Sequence, residues 1–167
     1  MNSIESIQSR ATAAFTIAIL AFVLLLPGGA FAQSKFSGEY KGNGAPAALT
    51  QVVAYKGEPD SGKPVTVLIF SAKSQTGSSK PAFDALFNKF GDALVVKIDP
   101  EGKVLSLDLV HSKLESPGGS IQVFGVLKMA DFKMADGKIS GHLTSGGVAK
   151  VRDQTWEVDL TFETKSP

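Results

Sequence analysis

The sequence predicts a mainly β fold, in which an antiparallel meander of about eight strands forms a barrel or a sandwich and one short amphipathic helix, at about residues 80–90, packs on it. Apolar side chains after residue 33 mostly recur at every second position, which is typical of half-buried strands. Short segments with an acidic residue and a glycine separate these runs. One segment alone repeats its apolar residues with a helical period.

The first 32 residues are set apart because they have the layout of a secretory signal peptide. Arg10 ends a short polar region, and residues 11–26 form an uninterrupted apolar run. Ala30 and Ala32 supply the small-x-small pattern of a cleavage site. The alternative is an uncleaved membrane anchor, but the run is shorter than the roughly 20 apolar residues that span a bilayer comfortably. We therefore expect residues 1–32 to be a cleaved signal peptide and residues 33–167 to be a single β domain.

Composition indicates where this domain works. Cleavage leaves 135 of the 167 residues, which is enough for one core. The chain has no cysteine, so disulfides do not stabilise that core and a lipoprotein anchor is not expected. Secreted eukaryotic domains of this size more often carry disulfides, which favours a bacterial periplasm or exterior. The 17 basic and 16 acidic residues nearly balance, so charge gives no reason to expect nucleic acid or an anionic membrane as partner.

Alternating patterns place the strands. In the clearest one, at residues 155–164, one face carries Trp156, Val158, Leu160 and Phe162. Residues 103–112 alternate in the same way, with Leu105, Leu107 and Leu109 expected on one face. The other candidate strands are residues 36–43, 47–56, 64–72, 93–99, 120–129 and 138–146. We expect Trp156 to be buried in the core because it lies on the apolar face.

Turn residues predict how neighbouring strands pair. Residues 99–104 and 136–139 carry Gly102 and Gly137, which can take the left-handed conformation that closes a hairpin. A further reversal at residues 116–120 is expected to pair the strands on either side of it. The strand at 120–129 is expected to continue through a β-bulge near residues 130–131, because apolar residues resume after that point.

The helical segment is residues 81–93. Phe83, Leu86, Phe87 and Phe90 fall at i, i+3, i+4 and i+7, which is one stripe of a helix. A helix this short is stable only when docked, so we expect the stripe to be buried on the β core. It would then close one end or face of that core. The alternative is a hinged lid over a ligand cavity, which requires the polar segment 73–80 to flex.

Two histidines are candidates for chemistry. His111 continues the predicted face of Leu107 and Leu109 and is a candidate base or ligand, although such a residue is more often a hydrogen-bonded histidine at the rim. His142 is expected on the opposite side from Leu143, so the two histidines need not meet. The sequence predicts no metal site and no cofactor, because close sets of histidine and cysteine are lacking. It contains no hydrolase or phosphate-binding motif.

Three carboxylates share the polar face of the strand at 155–164, namely Glu157, Asp159 and Glu163. Paired acids can hydrolyse glycosides when they flank a cleft. On a regular strand they more often form a solvated face matched by lysines of a neighbouring strand, which is our expectation here. The lysines available are Lys128, Lys133, Lys138 and Lys150.

Residues 140–151 contain the pattern Gly-x-Leu-Thr-x-x-Gly-Val-x-Lys. This stretch resembles one in the YceI-like periplasmic proteins, which are lipocalin-like barrels that hold a polyisoprenoid chain. The resemblance covers about a dozen residues and implies an exported barrel. The paired histidines near the start of that family have no counterpart in this chain, so none of its ligand residues is transferred.

Together these features favour a non-enzymatic exported β-domain protein, a binding or accessory module. The alternative is a lipocalin-like carrier of a small apolar ligand, and a hydrolase that uses His111 or the acidic strand is less favoured. Candidate lining residues are Phe83, Phe87, Phe90 and His111, and no catalytic residue is assigned. The expected partner is a small apolar ligand or another exported protein, with no nucleic acid and no stable membrane anchor after cleavage.

Overall fold

The computed structural model describes residues 34–167. The predicted signal peptide at residues 1–32 and its cleavage residues, Ala30 and Ala32, lie outside the described residues and stay predictions. In chain order the elements are β1 (Lys35–Gly42), β2 (Ala45–Pro46), β3 (Gln51–Asp60), β4 (Lys63–Ser71), α1 (Pro81–Leu86), β5 (Ala93–Ile98), β6 (Val104–Val110), β7 (Ile121–Val123), β8 (Lys128–Ala135), β9 (Lys138–Thr144), β10 (Ala149–Val151) and β11 (Gln154–Lys165).

The strands form two antiparallel sheets, which confirms the mainly β prediction with one short helix. The five-stranded sheet has the order β3-β4-β5-β6-β7, so it is a meander of neighbours in sequence. In the six-stranded sheet the order is β2-β1-β11-β9-β8, and β10 also pairs with β11. The architecture is that of a sandwich, and the closed barrel, one of the two predicted alternatives, is wrong.

The predicted turns close the predicted hairpins. The turn between β5 and β6 contains Gly102 at a φ of 84°, and the turn between β8 and β9 contains Gly137 at a φ of 69°. The reversal at residues 116–120 joins β6 to its neighbour β7, as expected. Asp136 also has a positive φ, of 52°, which matches an Asp-Gly turn that follows the twist of the two strands.

The strand predicted at residues 120–129 is in fact divided between the two sheets. β7 ends at Val123 in the five-stranded sheet, and β8 begins at Lys128 in the six-stranded sheet. The predicted bulge is confirmed, since the register of β8 against β9 shifts between Ala130 and Lys133. The segment predicted as one strand therefore contributes to both sheets of the sandwich. The chain crosses from one sheet to the other between Val123 and Lys128.

Side chains fill the space between the two sheets. Trp156 of β11 and Tyr40 of β1 are fully buried there, which confirms the prediction for Trp156. Phe70 of β4 meets Phe162 of β11 edge-on with ring centroids 5.5 Å apart, so the two sheets are in direct contact. This core accounts for the alternation of β11, because its apolar face packs against the five-stranded sheet.

A second apolar cluster lies on the outer face of the five-stranded sheet. Its buried members from the sheet are Val65, Val67, Ile69, Ala93, Val95 and Val110. β4 and β5 are therefore apolar on both faces, which explains why their sequences read as continuous apolar runs. The helix α1 covers part of this outer face through Ala85, which is fully buried.

Two expectations about buried faces are wrong. Phe83 and Phe87 are 56% and 54% exposed, so the predicted aromatic stripe does not dock on the core. The helix ends at Leu86, and Phe90 reaches the second cluster from the turn that follows. Leu105 does not share a face with Leu107, because a register shift near it in β6 turns its side chain to the second cluster.

Candidate functional site

His111 follows β6 and lies in the interior of the sandwich. Its side chain is buried against Tyr40, with the two rings perpendicular at a centroid distance of 5.1 Å. The backbone N–H of Lys113 donates to Nδ1 at 3.0 Å, so the ring proton is on Nε2, which donates to the carbonyl oxygen of Ala45 at 3.0 Å. Through these two hydrogen bonds the His111 ring connects the segment after β6 to β2.

The acidic face of β11 is matched by basic side chains of neighbouring strands. Lys138 of β9 donates to Glu163 at 2.9 Å, as expected, and this hydrogen bond holds the pKa of Glu163 below its usual value. Asp159 instead accepts a 2.8 Å hydrogen bond from His142. His142 is partly exposed while its neighbour Leu143 is buried, which confirms that it points away from the core.

The four candidate lining residues do not come together at one site. His111 packs on the side of the five-stranded sheet that faces Tyr40, whereas Phe90 is buried in the second cluster on the outer side. Phe83 and Phe87 form an exposed pair on α1, with ring centroids 4.7 Å apart. Of these four residues, only Phe83 lines the cleft between α1 and the five-stranded sheet.

A cleft of about 580 Å³ lies between the start of α1 and the outer face of the five-stranded sheet. We call it the helix–sheet cleft. On the sheet side its apolar surface consists of Tyr55, Val65 and Val67. On the helix side the surface consists of Pro81, Ala82 and Phe83. The cleft is open to solvent and combines an apolar interior with a charged rim.

Gly57 keeps the sheet side of this cleft open. A Cβ atom at this position would lie 2.9 Å from one methyl group of Val67 and 3.0 Å from one of Val65. Such distances are shorter than ordinary van der Waals contact, so any side chain at residue 57 would have to displace the methyl groups of the two valines. The absence of a side chain at Gly57 therefore leaves Val65 and Val67 accessible from the cleft.

Four charged residues lie on the rim, namely Lys56, Glu58, Lys80 and Lys97. All four side chains are exposed. Tyr55 is half-buried between them, and burial raises the pKa of its hydroxyl above the usual value. The residues that line the cleft thus supply two hydroxyl groups, those of Tyr55 and Ser79, together with one carboxylate and three ammonium groups.

The helix side of the cleft is fixed by hydrogen bonds. The Ser78 hydroxyl donates to Asp84 at 2.7 Å, which ties the start of α1 to the segment before it. Lys89 and Ser78 both contact Asp84, and the bond from Lys89 is the larger cause that holds the pKa of Asp84 below its usual value. Gln75 is buried and donates to the carbonyl oxygen of Ile69 at 3.2 Å. The segment 73–80 is therefore anchored at both of its ends.

Sequence reasoning assigned Phe83 but missed the other lining residues. The signal was present in β3, where Tyr55 and Gly57 alternate with the buried Ala54 and so face outward. The doubly apolar β4 is a second signal, because an outer face that carries Val65 and Val67 requires a cover. Only the fold, however, shows that α1 leaves part of that face open.

Residues 34–167 contain neither a cluster of metal-ligating side chains nor a membrane-spanning helix. No group of three or more histidine, cysteine, aspartate or glutamate side chains in this range is arranged to hold a metal ion. Among the helices of the same range, none is both long enough and apolar enough to cross a membrane.

Comparison with known proteins gives no relative. No family model, curated protein or solved structure matches this chain. The resemblance of residues 140–151 to the YceI-like proteins therefore carries no family assignment. These residues form the end of β9, a turn and the strand β10, and they lie at a distance in sequence from every residue of the helix–sheet cleft.

Proposed function

We propose that this chain is an exported, non-enzymatic β-domain protein that binds a small ligand with an apolar body in the helix–sheet cleft. The observation that carries the proposal is the cleft itself, which is about 580 Å³ in volume and has a mainly apolar surface. Ligand sites in proteins commonly measure about 300–1,000 Å³ and are mostly apolar with a few polar groups. The helix–sheet cleft has both properties.

The sequence supports export, to a bacterial periplasm or exterior. The predicted signal peptide and the absence of cysteine favour that compartment. The residues that line this cleft include no cysteine for a thiol linkage and no histidine for metal binding. Apolar contact and charge are what the cleft offers.

The cleft is a better candidate for an apolar ligand than the interior of the sandwich. Trp156, Tyr40 and Phe70 are fully buried in that interior, so a ligand there would have to displace packed side chains. Phe83, in contrast, leaves about half of its surface in water beside the cleft. A ligand that covers this exposed half gains roughly 1 kcal/mol, since full burial of such a side chain is worth about 1.5–3 kcal/mol.

A titration with the neutral amphiphile 1-decanol tests the proposal. The backbone amide signals of the ¹⁵N-labelled chain are followed by NMR as 1-decanol is added. We expect the shifts to be confined to the residues that line the cleft, at positions 55–58, 65, 67, 79–83 and 97. Shifts spread evenly over both sheets, or no shifts at all, would reject this binding site.

The aromatic pair on α1 supplies a matched control. Phe83→Ala removes a side chain that lines the cleft, whereas Phe87→Ala removes an equally exposed one that does not. We expect Phe83→Ala to weaken decanol binding by about fivefold, which corresponds to the roughly 1 kcal/mol above. Phe87→Ala should leave the affinity within about twofold of the unmodified chain. Equal losses in the two variants would mean that binding does not take place in the cleft.

A further inference from the structure

The rim of the helix–sheet cleft carries more positive than negative charge. The residues that line the cleft include Lys56 from β3, Lys80 from the segment before α1 and Lys97 from β5, together with one acidic residue, Glu58. These lysines come from three separate parts of the chain and meet only in the folded protein. We infer that the ligand of this cleft is an amphiphile with a carboxylate head, which the rim lysines bind while its apolar tail lies in the cleft.

This inference rests on the proposed function and adds the class of ligand. None of the three rim lysines lies within ion-pair distance of a carboxylate in residues 34–167. Among residues 34–167, the lysines within ion-pair distance of a carboxylate are Lys41, Lys89 and Lys138, all outside the cleft. The rim ammonium groups therefore remain available to a carboxylate that arrives with a ligand.

Two protein carboxylates lie near the rim lysines without pairing with them. Asp108 on β6 is buried, and this burial raises its pKa even though the nearby charge of Lys97 acts in the opposite direction. Asp84 on α1 is near Lys80, but it is engaged by Lys89 and Ser78. Asp108 is thus buried and Asp84 already has partners, while the lysine side chains extend into solvent.

The shape of the cleft suits an amphiphile of this kind. Val65 and Val67 form the apolar surface, and Phe83 extends it on the helix side. Lysine combines an apolar stem with a charged end, so Lys97 can line the cleft with its stem and still reach a head group at the mouth. A cationic amphiphile would find the same apolar surface but three like charges at the mouth.

Three probes with the same ten-carbon tail test the head group, namely decanoate, 1-decanol and decyltrimethylammonium. Their affinities are measured by the same NMR titration at low ionic strength. Exposed ion pairs are worth a few-fold in affinity each, so decanoate should bind about three- to tenfold more tightly than 1-decanol, and the cation most weakly. The advantage of decanoate should shrink in high salt, which screens exposed charges.

The variant Lys97→Met removes one rim charge and keeps an apolar stem. It should weaken decanoate binding by about threefold and leave 1-decanol within about twofold. Lys133→Met, on the exposed surface of β8, is the control for the same loss of net charge and should change neither affinity. An equal loss of decanoate affinity in both variants would show that net charge, and not the rim, attracts the acid, and would overturn the inference.

The two proposals fail in different ways. If 1-decanol binds in the cleft and decanoate binds no more tightly, the carboxylate head is rejected while the apolar site stands. If neither probe shifts the amides of the cleft, the binding function itself is rejected. If both probes bind in the cleft, decanoate more tightly, and Lys97→Met reduces that advantage, both proposals are supported.

Discussion

Replacing Phe90 and Phe87 one at a time tests how α1 and the turn after it dock on the sheet. Phe90 is 8% exposed and packs in the second cluster, so Phe90→Ala removes core contacts and leaves a cavity. Such a change costs about 3–5 kcal/mol. Phe87 is 54% exposed, so Phe87→Ala loses about half of a burial worth about 1.5–3 kcal/mol and leaves no cavity, a cost of about 1 kcal/mol.

Urea unfolding of the two variants and the unmodified chain measures this difference. We expect the free energy of unfolding of Phe90→Ala to fall about three to five times as far as that of Phe87→Ala, with the same dependence on urea concentration in all three proteins. The helical stripe predicted from the sequence would bury both side chains and make the two losses equal. Equal losses would therefore refute the burial of Phe90 and the exposure of Phe87.

Two pH experiments follow from buried ionisable groups. Burial, with a smaller effect of the Asp92 charge, raises the pKa of Tyr40 well above its usual value, so Tyr40 contributes stability that is present below the unfolded pKa of about 10 and is lost as the pH rises above it. Urea unfolding should show a smaller alkaline loss for Tyr40→Phe, and equal losses would contradict this. Burial also raises the pKa of Asp108, so its charged form costs stability at neutral pH. Asp108→Asn should be more stable than the unmodified chain there and equal to it below about pH 4, whereas a less stable variant at neutral pH would be the contrary result.

The strands and hairpins were predictable because local chemistry determines them. Trp156 and its alternating neighbours in β11 indicate one apolar face without any knowledge of the partner sheet. Gly102 and Gly137 close their hairpins because each takes a positive φ in the turn. These signals depend on residues within a few positions of each other, so they do not require knowledge of contacts that are distant in sequence.

The choice between barrel and sandwich depends on contacts that are distant in sequence. β1 pairs with β11, and the chain crosses between the sheets after Val123. The apolar residues of 120–129 continue through this crossing, so the pattern gives no sign of it. The sequence pattern also gives no sign of the register shift near Leu105. A bulge moves side chains to the other face of the sheet without changing the composition of the strand.

The docked side of α1 shows why size alone misleads for a short helix. Two stripes compete on it, the large one of Phe83 with Phe87 and the small one of Ala82, Ala85 and Leu86, and the small one faces the sheet. The outer face of β4 and β5 already carries large side chains, so a helix with alanines approaches it more closely and packs it better. Phe90, from the turn, then supplies the bulk that the helix lacks. The aromatic pair stays outside, where it contributes little to folding but offers apolar surface beside an open cleft. Loss of Phe83 should therefore weaken binding and the fold by similar amounts, about 1 kcal/mol each, whereas loss of Phe90 should weaken mainly the fold.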